Sequence, residues 1–214
     1  ELRDKETLTI DQAILKEMLR MTSFAICHDE ARYVLNGIYM VVENGKIHLI
    51  ATDGRRLAVV SRELSLPKGL QKKVIISVKA VNELNRLLED TGSVKVGLDD
   101  NHIIFSLNDT VIISRLIEGE FPNYEGVIPK ECKERIKIDR EKFLASCKRV
   151  SLLTTQEAQS VRVDLIKGKM IISANVPDVG EAREEIEIDY KGSDMSIGFN
   201  PNYLIDVLKN LNNQ

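Results

Sequence analysis

Tryptophan is absent from this 214-residue chain, and Phe and Tyr hold the aromatic content to 5%. A protein that stacks unpaired bases along a groove needs a row of aromatic faces, so a single-strand-binding platform is disfavoured. Cysteine is scarce as well: Cys27, Cys132 and Cys147 stand far apart, an odd number with no CxxC pair. That spacing fits neither a disulfide framework nor a zinc site and points to reduced thiols in a cytoplasm. No apolar run reaches the length of a membrane span, and the opening residues lack a signal-peptide pattern. Neither the GxxxxGK-Ser/Thr nor the GxGxxG pattern occurs, so no loop for cradling a nucleotide is visible. His28, His48 and His102 are scattered, with no Ser, Cys or Asp partners spaced for nucleophilic catalysis. Cys27-His28-Asp29-Glu30 carries metal-type side chains, but adjacent residues of one loop rarely converge on one ion. A helix C-terminus followed by polar residues is the plainer reading. These absences lead to an expectation of no metal, no cofactor and no enzymatic activity.

What is present is ordinary for a soluble globular protein: 43% hydrophobic and 29% charged residues, with chain enough for one or two domains. The net charge of −3 argues against binding nucleic acid over the whole surface. It leaves room for a local basic face, because distribution matters more than the sum.

In chain order, an alternating strand at 7–10 is followed by Asp11 as a helix N-cap and a helix to about residue 26. Ile14, Leu15, Met18, Leu19 and Ala25 recur at helical spacing on it. After a polar break at 28–30, strands are predicted at 34–43, 46–53 and 56–64, with Asn44-Gly45 and Asp53-Gly54 as hairpin turns. Ser65, Pro67 and Gly69 mark a connection. The order then repeats: a strand at 74–78, a helix at 79–88 and strands at 93–99, 103–108 and 111–117. A third start follows, with Ile136-Lys137-Ile138-Asp139 matching Leu8-Thr9-Ile10-Asp11. Beyond it lie a helix at 140–153, strands at 161–166, 170–174, 184–190 and 195–199, and a helix at 201–211. Self-similarity at this long period indicates duplicated domains rather than a solenoid. The expected fold is α+β, built from repeated strand–helix–three-strand units. The last unit has no counterpart of residues 93–119, so it reads as truncated.

Three features carry functional weight. The string 51–58, Ala-Thr-Asp-Gly-Arg-Arg-Leu-Ala, is a turn between two strands; as a bare Asp-Gly turn it needs no function. Two arginines followed by Leu57 make it more: a cationic rim beside an apolar side chain, suited to gripping a peptide. Second, each helix carries bases away from its apolar stripe: Lys16 and Arg20, then Lys79 and Arg86, then Lys142, Lys148 and Arg149. Glu17, Glu83, Glu89 and Glu141 sit among them, so a solvated charged face would explain any one helix. Their repetition favours alignment against phosphates, a contact indifferent to base sequence. Third, Phe121-Pro122-Asn123-Tyr124 is either a buried turn or, with Leu35, Leu57 and Val127, the lining of an apolar cleft between domains. Leu35, assigned to a strand, could also be plain core.

Residues 51–58, and residues 115–124 (Arg-Leu-Ile-Glu-Gly-Glu-Phe-Pro-Asn-Tyr) followed by Val127-Ile128-Pro129, also carry a family likeness. In kind, order and separation the two segments resemble those of the β sliding clamps of bacterial replicative DNA polymerase. The resemblance implies a DNA-clamp fold with helices on one face of antiparallel sheets. In that family three similar domains per chain, and two chains joined head to tail as a homodimer, close a ring around duplex DNA. Residues 1–125 are similar to the family's second domain and 136–214 to its third without the last strands, joined by a linker at 126–135. The implied function is that of a processivity factor, without catalysis, in the cytoplasm and away from membranes. It tethers replicative polymerase, clamp-loader subunits and other replication and repair proteins to DNA through short linear motifs. The implied peptide pocket uses Leu35, Thr52, Gly54, Arg55, Arg56, Leu57, Pro122 and Val127, with Asn200 and Tyr203 at its edge. Many members have His where Arg55 stands, and some have Arg where Gly126 stands. The implied DNA-facing residues are Lys16, Arg20, Arg32, Tyr33, Lys79, Arg86, Lys142, Lys148 and Arg149. Arg32 and Tyr33 belong to a loop at the mouth of the hole. Two other classes compete: a protein-interaction module that never meets DNA, and an α+β hydrolase using Asp53 with a histidine base.

Overall fold

Alternation of apolar and polar residues makes β1 (Glu6–Asp11), and α1 (Gln12–Ser23) follows without a loop. The computed structural model describes residues 6–65, 69–132, 134–154, 160–177 and 180–211. Leu15, Met18, Leu19 and Thr22 form the buried stripe of α1. Asp11 takes the extended backbone of an N-cap but its side chain makes no capping bond. The helix stops before the expected residue 26. The N–H groups of Ala25 and Ile26 turn back to the carbonyls of Thr22 and Ser23, and the Thr22 hydroxyl bonds to Met18 O at 2.8 Å. Such tightened turns and hydroxyl back-bonding are how a helix is wound down.

A kinked 3-10 segment, Glu30–Leu35, comes next, where a strand beginning at residue 34 was expected. Leu35 is therefore not a strand residue. The Asp29 carboxylate caps the segment by accepting from Ala31 N–H, and Asn36 N–H closes on Tyr33 O, which holds the backbone out of the ladder. Then come β2 (Gly37–Glu43), β3 (Lys46–Thr52), β4 (Leu57–Glu63) and β5 (Lys72–Ser77). Asn44 and Gly45 both take positive φ in the β2–β3 turn, the requirement of a two-residue hairpin loop. The predicted connection between β4 and β5 includes Pro67, which lies outside the described residues. α2 (Val78–Leu87) is capped by the Ser77 hydroxyl, and β6 (Ser93–Leu98), β7 (His102–Leu107) and β8 (Thr110–Arg115) complete the unit.

These elements form two antiparallel four-stranded sheets, ordered β1-β6-β7-β8 and β4-β3-β2-β5. α1 lies against β4, β3 and β2, α2 against β2, β5 and β8, and the two helices pack on each other. One core runs through all of it, from Leu8 and Ile10 through Met18, Leu49 and Leu84 to Phe105. Burying each such side chain contributes about 1.5–3 kcal/mol. The sheets meet where Ile117 N–H donates to Ile75 O at 3.0 Å. The β4-β3-β2-β5 sheet also carries a smaller cluster: Cys27, Leu35, Val41, Ile50, Ile75 and Phe121, with Leu57 and Tyr124 packed on it.

The chain divides into two compact units, Glu1–Gly126 and Val127–Gln214. In the second, α3 (Arg140–Ser151) is capped by Asp139. It packs on a sheet of β9 (Val161–Ile166), β10 (Lys169–Val176), β11 (Gly180–Glu187) and β12 (Met195–Phe199), and on α4 (Pro201–Asn210). The order β11-β10-β9-β12 reproduces β4-β3-β2-β5, so the internal repeat extends to topology. Two expectations need correction. β11 begins at Gly180 rather than 184, because its register pairs Gly180 with Val176 and Glu187 with Lys169. Residues 136–139 are not a strand. Their counterpart β1 is held by β6, and among the described residues no strand pairs with 136–139.

Candidate functional site

Thr52 pairs with Leu57 across the β3–β4 hairpin, leaving residues 53–56 as its loop. Gly54 takes φ +83°, a conformation open to glycine at little cost. Asp53 ties the loop from within. Its Oδ1 accepts from the N–H of Arg55 at 2.9 Å and of Arg56 at 3.0 Å, and its Oδ2 accepts from Arg56 Nε at 3.0 Å. The Thr52 hydroxyl accepts from Gly54 N–H at 3.0 Å and donates to Arg56 O at 2.6 Å. Arg56 reaches on, donating from Nη2 to Phe24 O at 2.6 Å with its guanidinium 5.6 Å from the Phe24 ring centre. The Arg56 and Asp53 side chains are only 19% and 17% exposed.

The two arginines of the string thus part company. Arg55 is exposed, whereas Arg56 is turned inward as the bolt between this loop and the end of α1. The expected rim of two cations is corrected to one, because Asp53 and a backbone carbonyl compete successfully for the second guanidinium. Asp53 is equally committed: a carboxylate engaged by two backbone N–H groups and a guanidinium is poorly placed to act as the base of a hydrolase.

Beside the loop lies the smaller apolar cluster. Leu35, 7% exposed, sits in it, and half-buried Leu57 packs on it. Phe121 stacks on Tyr39 with centroids 4.7 Å apart and planes 8° from parallel, and Tyr124 meets Tyr39 edge-on at 6.5 Å. Burial and the neighbouring Glu125 raise the Tyr124 hydroxyl above its ordinary pKa. Pro122 is exposed next to buried Phe121. In the first unit Leu35 and Leu57 thus share one apolar cluster, Thr52, Gly54 and Arg55 belong to the hairpin that runs into Leu57, and Pro122 follows clustered Phe121. Val127, Asn200 and Tyr203 belong to the second unit. Val127 is 70% exposed, and Asn200 caps α4, on whose first turn Tyr203 stands.

The predicted DNA-facing residues are at or near the surface, and several are already paired. Lys16 binds Asp90 at 2.7 Å, Arg86 binds Glu83 at 3.2 Å and Arg32 binds Asp29 at 3.2 Å. In the second unit Arg149 holds Glu184 through Nε at 2.8 Å, while Lys142 and Lys148 are exposed on the same helix. That bond raises the Arg149 pKa and holds the Glu184 carboxyl below the usual range. Lys16 and Arg20 lie one helical turn apart on α1, Lys79 and Arg86 two turns apart on α2, and Tyr33 is 58% exposed. Among the described residues no three His, Cys, Asp or Glu side chains converge as a metal site would require. No helix among them is long and apolar enough to cross a membrane.

Sequence reasoning missed the inward turn of Arg56, its use of Phe24 O and the hydrogen bond that Arg32 Nη1 donates to the Asp53 carbonyl of the loop. The Asp53–Arg56 spacing was a visible signal for the first; the other two join distant parts of the chain.

The sequence profile described as DNA polymerase III beta subunit, central domain, matches residues 9–123, and the C-terminal domain profile matches 125–214. The chain is 35% identical over 195 residues to the beta sliding clamp of Chlamydia pneumoniae, covering 91% of this chain and 53% of that protein. Among solved structures, the DNA polymerase sliding clamp from Bacillus subtilis superposes with a TM-score of 0.94 at 29% identity, covering 100% of this chain and 57% of that one. The sliding clamp from Bartonella birtlesii bound to griselimycin gives 0.91 at 36% identity, covering 97% and 58%. The chain thus spans about half the length of the curated relatives it matches.

Proposed function

The chain belongs to the DNA polymerase III beta subunit family, the β sliding clamps, and from that membership we propose that it bears the peptide-gripping and DNA-facing surfaces of a processivity factor. The observation that carries the reading is the hairpin loop 53–56, tied by Asp53 and Arg56 so that Arg55 is exposed beside Leu57 on an apolar floor. A linear motif with a glutamine and a Leu-aromatic end suits such a place: Leu57 and Leu35 meet its apolar side chains, and Arg55 meets its polar ones. The partners are replicative polymerase, clamp-loader subunits and other replication and repair proteins, in the cytoplasm. The whole protein works as a head-to-tail homodimer around duplex DNA.

The role is tethering, not catalysis. Asp53 is structurally occupied, which counts against the hydrolase reading. The pairing of Lys16, Arg86 and Arg149 with acids tempers each cation, which suits loose, sequence-indifferent contact with phosphates over a tight grip. Leu57→Asp tests the reading. Placing a carboxylate on the apolar floor is expected to weaken binding of a labelled Gln-containing, Leu-Phe-ended peptide at least tenfold, since a buried leucine is worth about 1.5–3 kcal/mol. Unchanged affinity in fluorescence polarisation would show the pocket to be elsewhere.

A further inference from the structure

The peptide-binding loop is held from inside by Asp53 and Arg56, yet its outer side is gripped as well. Arg32 Nη1 donates to the Asp53 carbonyl at 2.6 Å. This guanidinium comes from the kinked 3-10 segment, and the kink is at Arg32 itself (φ −110°, ψ 52°). Its direction is set by Asp29, whose Oδ2 accepts from Arg32 Nε at 3.2 Å while its Oδ1 caps the segment at Ala31 N–H. The loop is shaped to receive it. A Cβ placed on Gly54 would stand 2.9 Å from Arg32 Nη1, so any larger residue would push the guanidinium away. Leu35 ends the segment that carries Arg32, and Leu57 follows the loop that Arg32 grips. The clasp therefore spans the two strips of chain that supply the apolar contacts.

We infer that Arg32 is a positioning residue for peptide binding: by clasping the Asp53 carbonyl it fixes the loop bearing Arg55 and Leu57 against the segment bearing Leu35. The side chain is 46% exposed, so its removal leaves the fold standing and acts on loop geometry. A fork is needed, because one guanidinium serves the Asp29 carboxylate and the Asp53 carbonyl at once; a lysine ammonium on a flexible stem does not hold both directions. The inference rests on the peptide-binding reading, and the two fail in different ways.

The test compares the parent chain with Arg32→Ala and Arg32→Lys, using the labelled Gln-containing, Leu-Phe-ended peptide and the amide resonances of Gly54 and Arg55 without peptide. Both variants are expected to lose roughly fivefold to tenfold in affinity, the scale of one ordinary hydrogen bond. The loss is expected to be equal at about 50 mM and about 500 mM salt, because a short clasp is not screened as a long-range attraction is. The Gly54 and Arg55 amides should shift in both variants while the unfolding midpoint stays in place. A parent that binds with an Arg32→Ala that binds equally, a loss that vanishes in high salt, or full affinity in Arg32→Lys would each overturn the inference. A parent chain that does not bind the peptide would overturn the peptide-binding reading, and unshifted amides would still count against the clasp on their own. If Arg32→Ala does not fold, Arg32→Lys carries every comparison.

Discussion

Removing the Asp53 carboxylate should loosen the hairpin loop and the end of α1 together. In Asp53→Ala three hydrogen bonds disappear, and they do not weigh equally. The Arg55 N–H is exposed and is rehydrated, so its loss costs little. The Arg56 N–H is part-buried and its loss costs about 1 kcal/mol. The Asp53–Arg56 pair is less than a fifth exposed on each side, so its loss is worth about 1–2 kcal/mol, above the level of a surface ion pair. The expected destabilisation of the first unit is therefore about 2–3 kcal/mol. Arg56→Ala keeps its own N–H bond but gives up the pair together with the Phe24 carbonyl and ring, and should cost about 3 kcal/mol. Because the two share one bond, the double variant should fall short of additivity by about 1–2 kcal/mol. Urea unfolding of the four proteins measures this cycle, with fluorescence of the tyrosines around Tyr39 as the probe. A cost below about 0.5 kcal/mol for Asp53→Ala, or strict additivity, would refute the claim that the pair holds the loop.

Two further outcomes follow from the same structure. Cys132 is exposed while Cys27 and Cys147 are buried, and burial raises the Cys147 thiol to about 11, so a thiol reagent should label the native protein at Cys132 alone; rapid native labelling at Cys147, read by mass spectrometry, would contradict its burial. In the second unit the Arg149 hydrogen bond holds Glu184 below its unfolded value of 4.5, Lys169 does the same for Glu185, and a bond from Ser196 lowers Asp164. Carboxyls depressed on folding contribute stability that is present above that value and lost as pH falls through their folded pKa values, so amide exchange in β9 and β10 should accelerate below about pH 4.5, less so in Glu184→Gln; acid sensitivity unchanged by that substitution would rule out Glu184 as a source.

The sequence by itself determined the elements whose cause is local. Helical spacing of Leu15, Met18 and Leu19 marked α1, Asn44-Gly45 announced its hairpin, and Asp139, matched to Asp11, stood at the start of α3. The repeat of Leu8–Asp11 in Ile136–Asp139 exposed the duplication, and the 51–58 and 115–124 strings pointed to the family. Tertiary structure decided what depends on partners distant in the chain. Ile136–Asp139 has strand-like alternation but, among the described residues, no strand beside it, and a strand exists only through its neighbour's hydrogen bonds. Leu35 reads as strand, yet Asp29 caps it into a 3-10 turn and Phe121 joins it in the apolar cluster beside the loop. Adjacent Arg55 and Arg56 look equivalent as letters. One stays in water and the other is drawn inward, because the Phe24 carbonyl, 32 positions away, stands within 2.6 Å of its guanidinium.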